Sequence, residues 1–148
     1  VCFRLRPEDV APIVKDTAGV LASLPNGYRT STQVRKHWET ELLAGGWIRS
    51  FTVGRSTLSI GYIKQQIGMC IQMGNTCRVY ADLLKLETVF RLGDIEKAIL
   101  AVPSDELSSA LGTNYASMSR AEKDITALAP TISMPIVLLE IPSFRRTS

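Results

Sequence analysis

Ile60-Gly61-Tyr62-Ile63-Lys64-Gln65-Gln66-Ile67-Gly68-Met69-Cys70-Ile71-Gln72-Met73-Gly74-Asn75 is the stretch whose reading decides the fold. Ile67, Met69, Ile71 and Met73 recur at every second position, the period of a strand with one apolar face. Gly68, Cys70, Gln72 and Gly74 fall on the opposite face. Upstream, Leu58, Ile60 and Tyr62 alternate in the same way. Lys64-Gln65-Gln66 is a polar connection between the two runs, so the stretch is expected to fold as an antiparallel hairpin.

Before the hairpin, Pro7-Glu8-Asp9 reads as a helix start, with proline in the first turn and acids near the positive end of the dipole. Val10, Ile13, Val14, Val20, Leu21 and Leu24 follow near helical spacing, and Pro25-Asn26-Gly27 ends that helix. Thr30-Ser31-Thr32 supplies N-cap candidates for a second helix with the stripe Val34, Trp38, Leu42, Leu43. Gly45-Gly46 stops it. Trp47, Phe51 and Val53 are expected to face one way along a first strand, closed by a turn at Gly54-Arg55-Ser56.

After the hairpin, Asn75-Thr76 is a cap candidate for a helix with buried stripe Val79, Leu83, Leu86 and Phe90, closed by Gly93. Ala98-Ile99-Leu100-Ala101-Val102 is a continuous apolar run suited to a strand buried on both faces, ended by Pro103. Ser104 to Leu111 holds a helical turn. A helix opens at Met118 or Ser119 and runs to Leu128, and Pro135 to Ile141 is a final buried strand. The expected order is α-α-β-β-β-α-β-α-β: an α/β fold, a mixed sheet flanked by helices, in a single domain spanning 1–148.

Composition is that of a globular chain: 148 residues, 45% hydrophobic, 21% charged, formal net charge +3. That charge is compatible with a nucleic-acid partner without demanding one. No apolar run approaches the roughly 20 residues of a membrane span, and Val1–Leu5 is too short for a secretory signal core. A start at Val1 and not Met suggests a processed or trimmed chain. Cys2, Cys70 and Cys77 are odd in number and lack C-x-x-C spacing, which argues against a disulfide framework or zinc ribbon and for a reducing compartment, cytoplasm or nucleus. The single His37 excludes chemistry that needs two histidines on one chain.

The hairpin resembles the active-site hairpin of the Bgl II-type restriction endonuclease family, whose pattern runs approximately I-D-x-x-K-x-x-x-G-x-E-x-Q-x-G-N. Lys64, Gly68, Gln72, Gly74 and Asn75 match it, whereas Gly61 stands at the Asp position and Cys70 at the Glu position. Further along, Tyr80-Ala81-Asp82-Leu83-Leu84-Lys85, Asn114-Tyr115-Ala116-Ser117 with Ala121-Glu122, and Pro135 to Leu138 resemble later family segments in the same order. The resemblance implies a restriction-endonuclease-like core from about Trp38 to Ile141.

In active relatives, the resemblance implies, the Asp and Glu hold a divalent ion that polarises the scissile phosphate and lowers the pKa of a bound water. Gln72 matches the third position, which helps position that water. Gly61 has no side chain, and the soft sulfur of Cys70 does not suit magnesium. The implied site is therefore a relic, with no cofactor expected. Magnesium enters only if Glu39, Glu41 or Asp82 takes over as ligand, each of which also reads as surface charge or a helix salt bridge. A shift of register by one residue offers only Ile60, Tyr62, Met69 and Ile71, none of which ligates a metal.

Lys64, Asn75, Arg78 and Lys85 are candidates for a phosphate-binding face, with the helix start at Asn75 adding backbone N–H groups. Cys70 reads as a small buried hydrophobe more readily than as a nucleophile. Three functions are expected in turn: a DNA-binding or regulatory protein on a degenerate nuclease fold, recognising duplex DNA as a homodimer; an active magnesium-dependent endonuclease with relocated acids; and a structural subunit of a larger protein complex.

Overall fold

A computed structural model describes residues 12–28 and 30–144. The helix start at Pro7-Glu8-Asp9 and Cys2 lie outside them. Ten elements follow in order: α1 (Pro12–Ala22), α2 (Ser31–Ala44), β1 (Ile48–Thr52), β2 (Ser59–Lys64), β3 (Ile67–Ile71), α3 (Cys77–Arg91), β4 (Lys97–Pro103), α4 (Asp105–Leu111), α5 (Met118–Ala127) and β5 (Ile136–Ile141). The segment expected to hold only a helical turn is a short helix, α4, because Ser104 caps it through its side chain and Asp105 and Glu106 complement its dipole.

Helix α2 begins in a capping box. Thr30 accepts from the Gln33 backbone N–H while the Gln33 side chain accepts from the Thr30 N–H. Of the expected stripe, Val34, Trp38 and Leu42 are fully buried, whereas Leu43 is 45% exposed. The Trp38 indole N–H donates to Ser23 O at 3.0 Å, so the largest apolar side chain of the helix is buried without an orphan donor.

The five strands form one sheet in chain order, β1-β2-β3-β4-β5. β1, β2 and β3 are antiparallel neighbours; β3, β4 and β5 run parallel. The β2–β3 connection is a two-residue turn with φ of 47° at Gln65 and 61° at Gln66, the positive values a tight hairpin requires. The strands that need a crossover, β3 to β4 and β4 to β5, are joined through helices.

Alternation along β4 puts Ala98, Leu100 and Val102 on the α3–α5 side and Ile99 and Ala101 on the α1–α2 side, all inaccessible to solvent. β3 does the same, with Ile67 and Met69 packed towards α1 and α2 and Cys70 towards α3. Gly68 also faces α3, where a Cβ would stand 3.3 Å from Leu86 Cδ2 and 2.9 Å from both Ile60 Cδ1 and Ile95 Cδ1, so a larger residue makes these side-chain ends move.

One expectation about β1 fails. Trp47 packs with Val14, Leu42 and Met69, whereas Phe51 and Val53 pack on the opposite face with the α3 cluster. Between them Ser50 has φ of 61°, a left-handed conformation that breaks the two-residue alternation.

Candidate functional site

The hairpin is not zipped along its whole length. β2 pairs with β3 only from Tyr62↔Met69 to Lys64↔Ile67. Before that, Ser59 and Ile60 stay paired to β1, while Cys70 and Ile71 stay paired to β4. The two strands part, and the gap opens into a cleft of about 270 Å³. Arg49, Ser50 and Gly61 line it from the β1–β2 side, Cys70 and Gln72 from β3 and its exit, and Asp82 and Lys85 from α3.

Gly61 presents backbone alone to this cleft, and a Cβ there would stand 3.1 Å from Met69 O. The flanking pairs Arg49↔Tyr62 and Phe51↔Ile60 place the left-handed Ser50 opposite Gly61, so strained backbone sits at the mouth. Strain of this kind concentrates at binding and catalytic sites.

Cys70 is 4% exposed. Burial first, and then the negative charge of Asp82, push its thiol up to about 12, against smaller opposing effects of a Gly61 backbone hydrogen bond and Lys85. At neutral pH it is a protonated, apolar group and not a nucleophile.

Gln72 is fixed at both ends of its amide. Its Oε1 accepts from Gly74 N–H at 2.9 Å and its Nε2 donates to Asp82 Oδ2 at 2.8 Å. The other Asp82 oxygen, Oδ1, lies 3.3 Å from Lys85 Nζ. Asp82 is therefore a salt-bridged helix residue, as its sequence position allowed, but a buried one at 7% exposure, and it faces the cleft. The signal was present in the sequence: Asp82 falls three residues after Val79 and four before Leu86, inside the apolar stripe of α3.

The remaining candidates do not share one surface. Lys64 leaves the other end of β2 and its Nζ donates to Gly45 O at the close of α2. Arg78 lies beside Gly74, its guanidinium 3.6 Å from where a Gly74 Cβ would be. Asn75 does help start α3, its Oδ1 accepting from Cys77 N–H, but Thr76 stands at the cap position without a side-chain cap bond. The N–H groups of Thr76, Cys77, Arg78 and Val79 are all engaged within the protein. A phosphate at this helix start would meet side chains, not open backbone donors.

Of the three acids considered as relocated ligands, only Asp82 lines the cleft. Glu41 lines a separate depression with Asp16 and Lys64. Glu39 is ion-paired to Arg49 at 2.5 Å, at the rim. The Tyr62 hydroxyl beside it is raised above its usual pKa by burial and then by Glu39, less the opposing effect of Arg49.

A magnesium ion asks for several hard oxygen ligands. The cleft offers one carboxylate, already held by an amide and an ammonium, with a protonated thiol and a glycine beside it. Among the described residues no three His, Cys, Asp or Glu side chains converge in a metal-holding group. These residues do not fit such an ion.

The family description "Restriction endonuclease BglII/BglIII" matches residues 12–141. Among solved structures the chain is similar to restriction endonuclease BglII complexed with a DNA 16-mer, with a TM-score of 0.74 and 14% identity over 95% of this chain and 74% of that one. At that identity the likeness is one of fold. No curated protein sequence matches the chain. Among the described residues no helix is long and apolar enough to cross a membrane. The mixed sheet with its parted hairpin and the match over residues 12–141 agree, and the chain belongs to the BglII/BglIII restriction endonuclease family.

Proposed function

We propose that this chain binds duplex DNA on a restriction-endonuclease scaffold without metal-dependent hydrolysis of its own. The observation that carries this is the donor set of the cleft. Where the resemblance expects two carboxylates, Gly61 and the buried thiol of Cys70 line the gap between β2 and β3. The similar solved structure is a complex with DNA, which supports duplex DNA as the partner. Without a seated ion, several kcal/mol of transition-state stabilisation is missing, on the order of 10³-fold or more in rate.

One observation favours a rival. Asp82 brings a carboxylate into the cleft from α3, a start towards a relocated metal site. Incubating the chain with plasmid and with a random-sequence duplex, in magnesium at low and high salt, separates the readings. Bound, uncut and salt-sensitive DNA is the expected result, since phosphate contacts release counterions. Magnesium-dependent cutting that is lost in Asp82→Asn would establish the rival. Absence of binding at low salt would overturn both and leave a structural role within a larger assembly.

A further inference from the structure

We propose that the Lys85 ammonium is the resident cation of the cleft, receiving a DNA phosphodiester in place of a divalent ion, with Arg49 closing on the same phosphate from the opposite rim. The inference rests on the DNA-binding reading above and says which site of the chain holds the backbone, and by what chemistry.

Lys85 is held, not loose. Its side chain is 26% exposed and its Nζ lies 3.3 Å from Asp82 Oδ1. Asp82 is itself fixed by the Gln72 amide, and that amide by Gly74 N–H. The chain of bonds from β3 to α3 thus positions one positive charge at the floor of the cleft. The charge acts on Cys70, where it opposes the upward pull of burial and Asp82 on the thiol, so it lies within electrostatic reach of that position. An ammonium has three N–H donors in a rotatable cone. Asp82 takes one, which leaves two directed elsewhere for the oxygens of a phosphodiester. A lysine binds phosphate as a point charge, which is also how a metal ion would begin.

Arg49 stands across the gap on β1, with its side chain 58% exposed. Its present partner, Glu39, lies on α2, and an ion pair this open to water is weak enough to exchange for a phosphate. Ser50, strained beside it, sets the backbone at this rim. The two carboxylates balance the two cations, so the cleft is neutral until a phosphate arrives. Both Asp82 oxygens are used, one by Gln72 Nε2 and one by Lys85 Nζ, so the contact is tested at Lys85 and Arg49 and not at the acid that positions them.

The test is anisotropy titration of a short random-sequence duplex over a range of salt, in EDTA and in magnesium, with Lys85→Ala, Lys85→Arg and Arg49→Ala. One phosphate contact contributes a salt slope of about 0.9, which at about 0.1 M salt corresponds to roughly eightfold in affinity. Lys85→Ala and Arg49→Ala should each lose about that factor and flatten the slope by about one contact. Lys85→Arg should retain the slope, and EDTA should change nothing in the wild-type chain. Circular dichroism and a thermal melt establish that each variant is folded, and Lys85→Arg and Arg49→Ala stand independently if Lys85→Ala is not.

Wild-type affinity and slope in both Lys85→Ala and Arg49→Ala would overturn this inference while leaving DNA binding intact elsewhere on the surface. A wild-type chain that binds no duplex at low salt would overturn the functional reading itself. Binding that requires magnesium would overturn the replacement of the ion by Lys85.

Discussion

Restoring the two carboxylates, Gly61→Asp with Cys70→Glu, is expected to convert the cleft into a metal site whose filling is read as stability. Without metal the variant should be weak. A glutamate at position 70 enters a place that is 4% exposed and already feels the charge of Asp82. An unpaired buried charge costs about 3–5 kcal/mol. At position 61 the new Cβ must gain a few tenths of an ångström from Met69 O, now 3.1 Å away, a strain of about 1 kcal/mol, the low end for overpacking. A divalent ion would then find carboxylates from positions 61 and 70 beside Asp82. At a hundredfold excess over Kd the ion stabilises by about 2.7 kcal/mol, which at about 2–4 °C per kcal/mol for a chain of this size raises Tm by about 5–11 °C. The assay is a thermal melt with and without magnesium or manganese, the wild-type chain as control. Because burial and Asp82 oppose ionisation of a carboxyl introduced at position 70, the metal-dependent shift should grow as pH rises. If the folded double variant gains no more from manganese than the wild type does, positions 61 and 70 do not face a common ion, and the replaced acids were misplaced. Should it fail to fold alone, refolding in manganese gives the same readout.

Glu87→Gln tests a clamp on α3 outside the cleft lining. This 6%-exposed carboxylate accepts from Ser133 N–H and Oγ, Met134 N–H and Arg91 Nε, and its loss should cost about 1.5–3 kcal/mol by urea unfolding. Burial alone would raise its pKa, but the hydrogen bonds from Ser133, Arg91 and Met134 outweigh that and hold it below the usual range. Its stabilisation is thus complete above the unfolded carboxylate pKa and disappears as pH falls through the lower folded value, so wild type and Glu87→Gln should converge in acid melts. Gly68→Ala should cost about 1 kcal/mol, because the new methyl meets the ends of Ile60, Ile95 and Leu86 side chains that can yield; an unchanged Tm would refute the close packing around Gly68. A thiol reagent at neutral pH should modify exposed Cys77 and spare buried Cys70, checked by peptide mass mapping; rapid Cys70 labelling would contradict its raised pKa.

Most of the architecture is legible because it depends on period and punctuation. Ile67 to Met73 alternate without a break, Thr30 and Gln33 sit at capping-box spacing, and Pro103 and Gly93 end their elements. Where the backbone departs from its period, the sequence is silent. Ser50 carries no mark of a left-handed conformation, so alternation alone puts Trp47 on the wrong face. α4 reads as no more than a turn because seven residues give helical spacing little room to repeat. The matching side of the hairpin is visible, but its partner side is not. Asp82 and Lys85 reach the cleft by the way α3 lies across the sheet, and Arg49 by the parting of β2 from β3, neither of which is a local property. Asp82 and Glu87 do leave a trace, as acids within or next to the buried stripe of α3.

The parted hairpin also bears on the order in which the chain folds. β1, β2 and β3 are a contiguous meander whose pairings are local, and such contacts form early because little loop entropy is lost in making them. β4 and β5 pair in parallel and wait for their crossovers. Asp82 and Lys85 ride on the first of these crossovers. On that order the rim carrying Arg49 and Gly61 would form before its floor, and the cleft would be complete only once α3 docks against Gly68. A chain halted after its hairpin would then display the opening of the site without the charge that fills it.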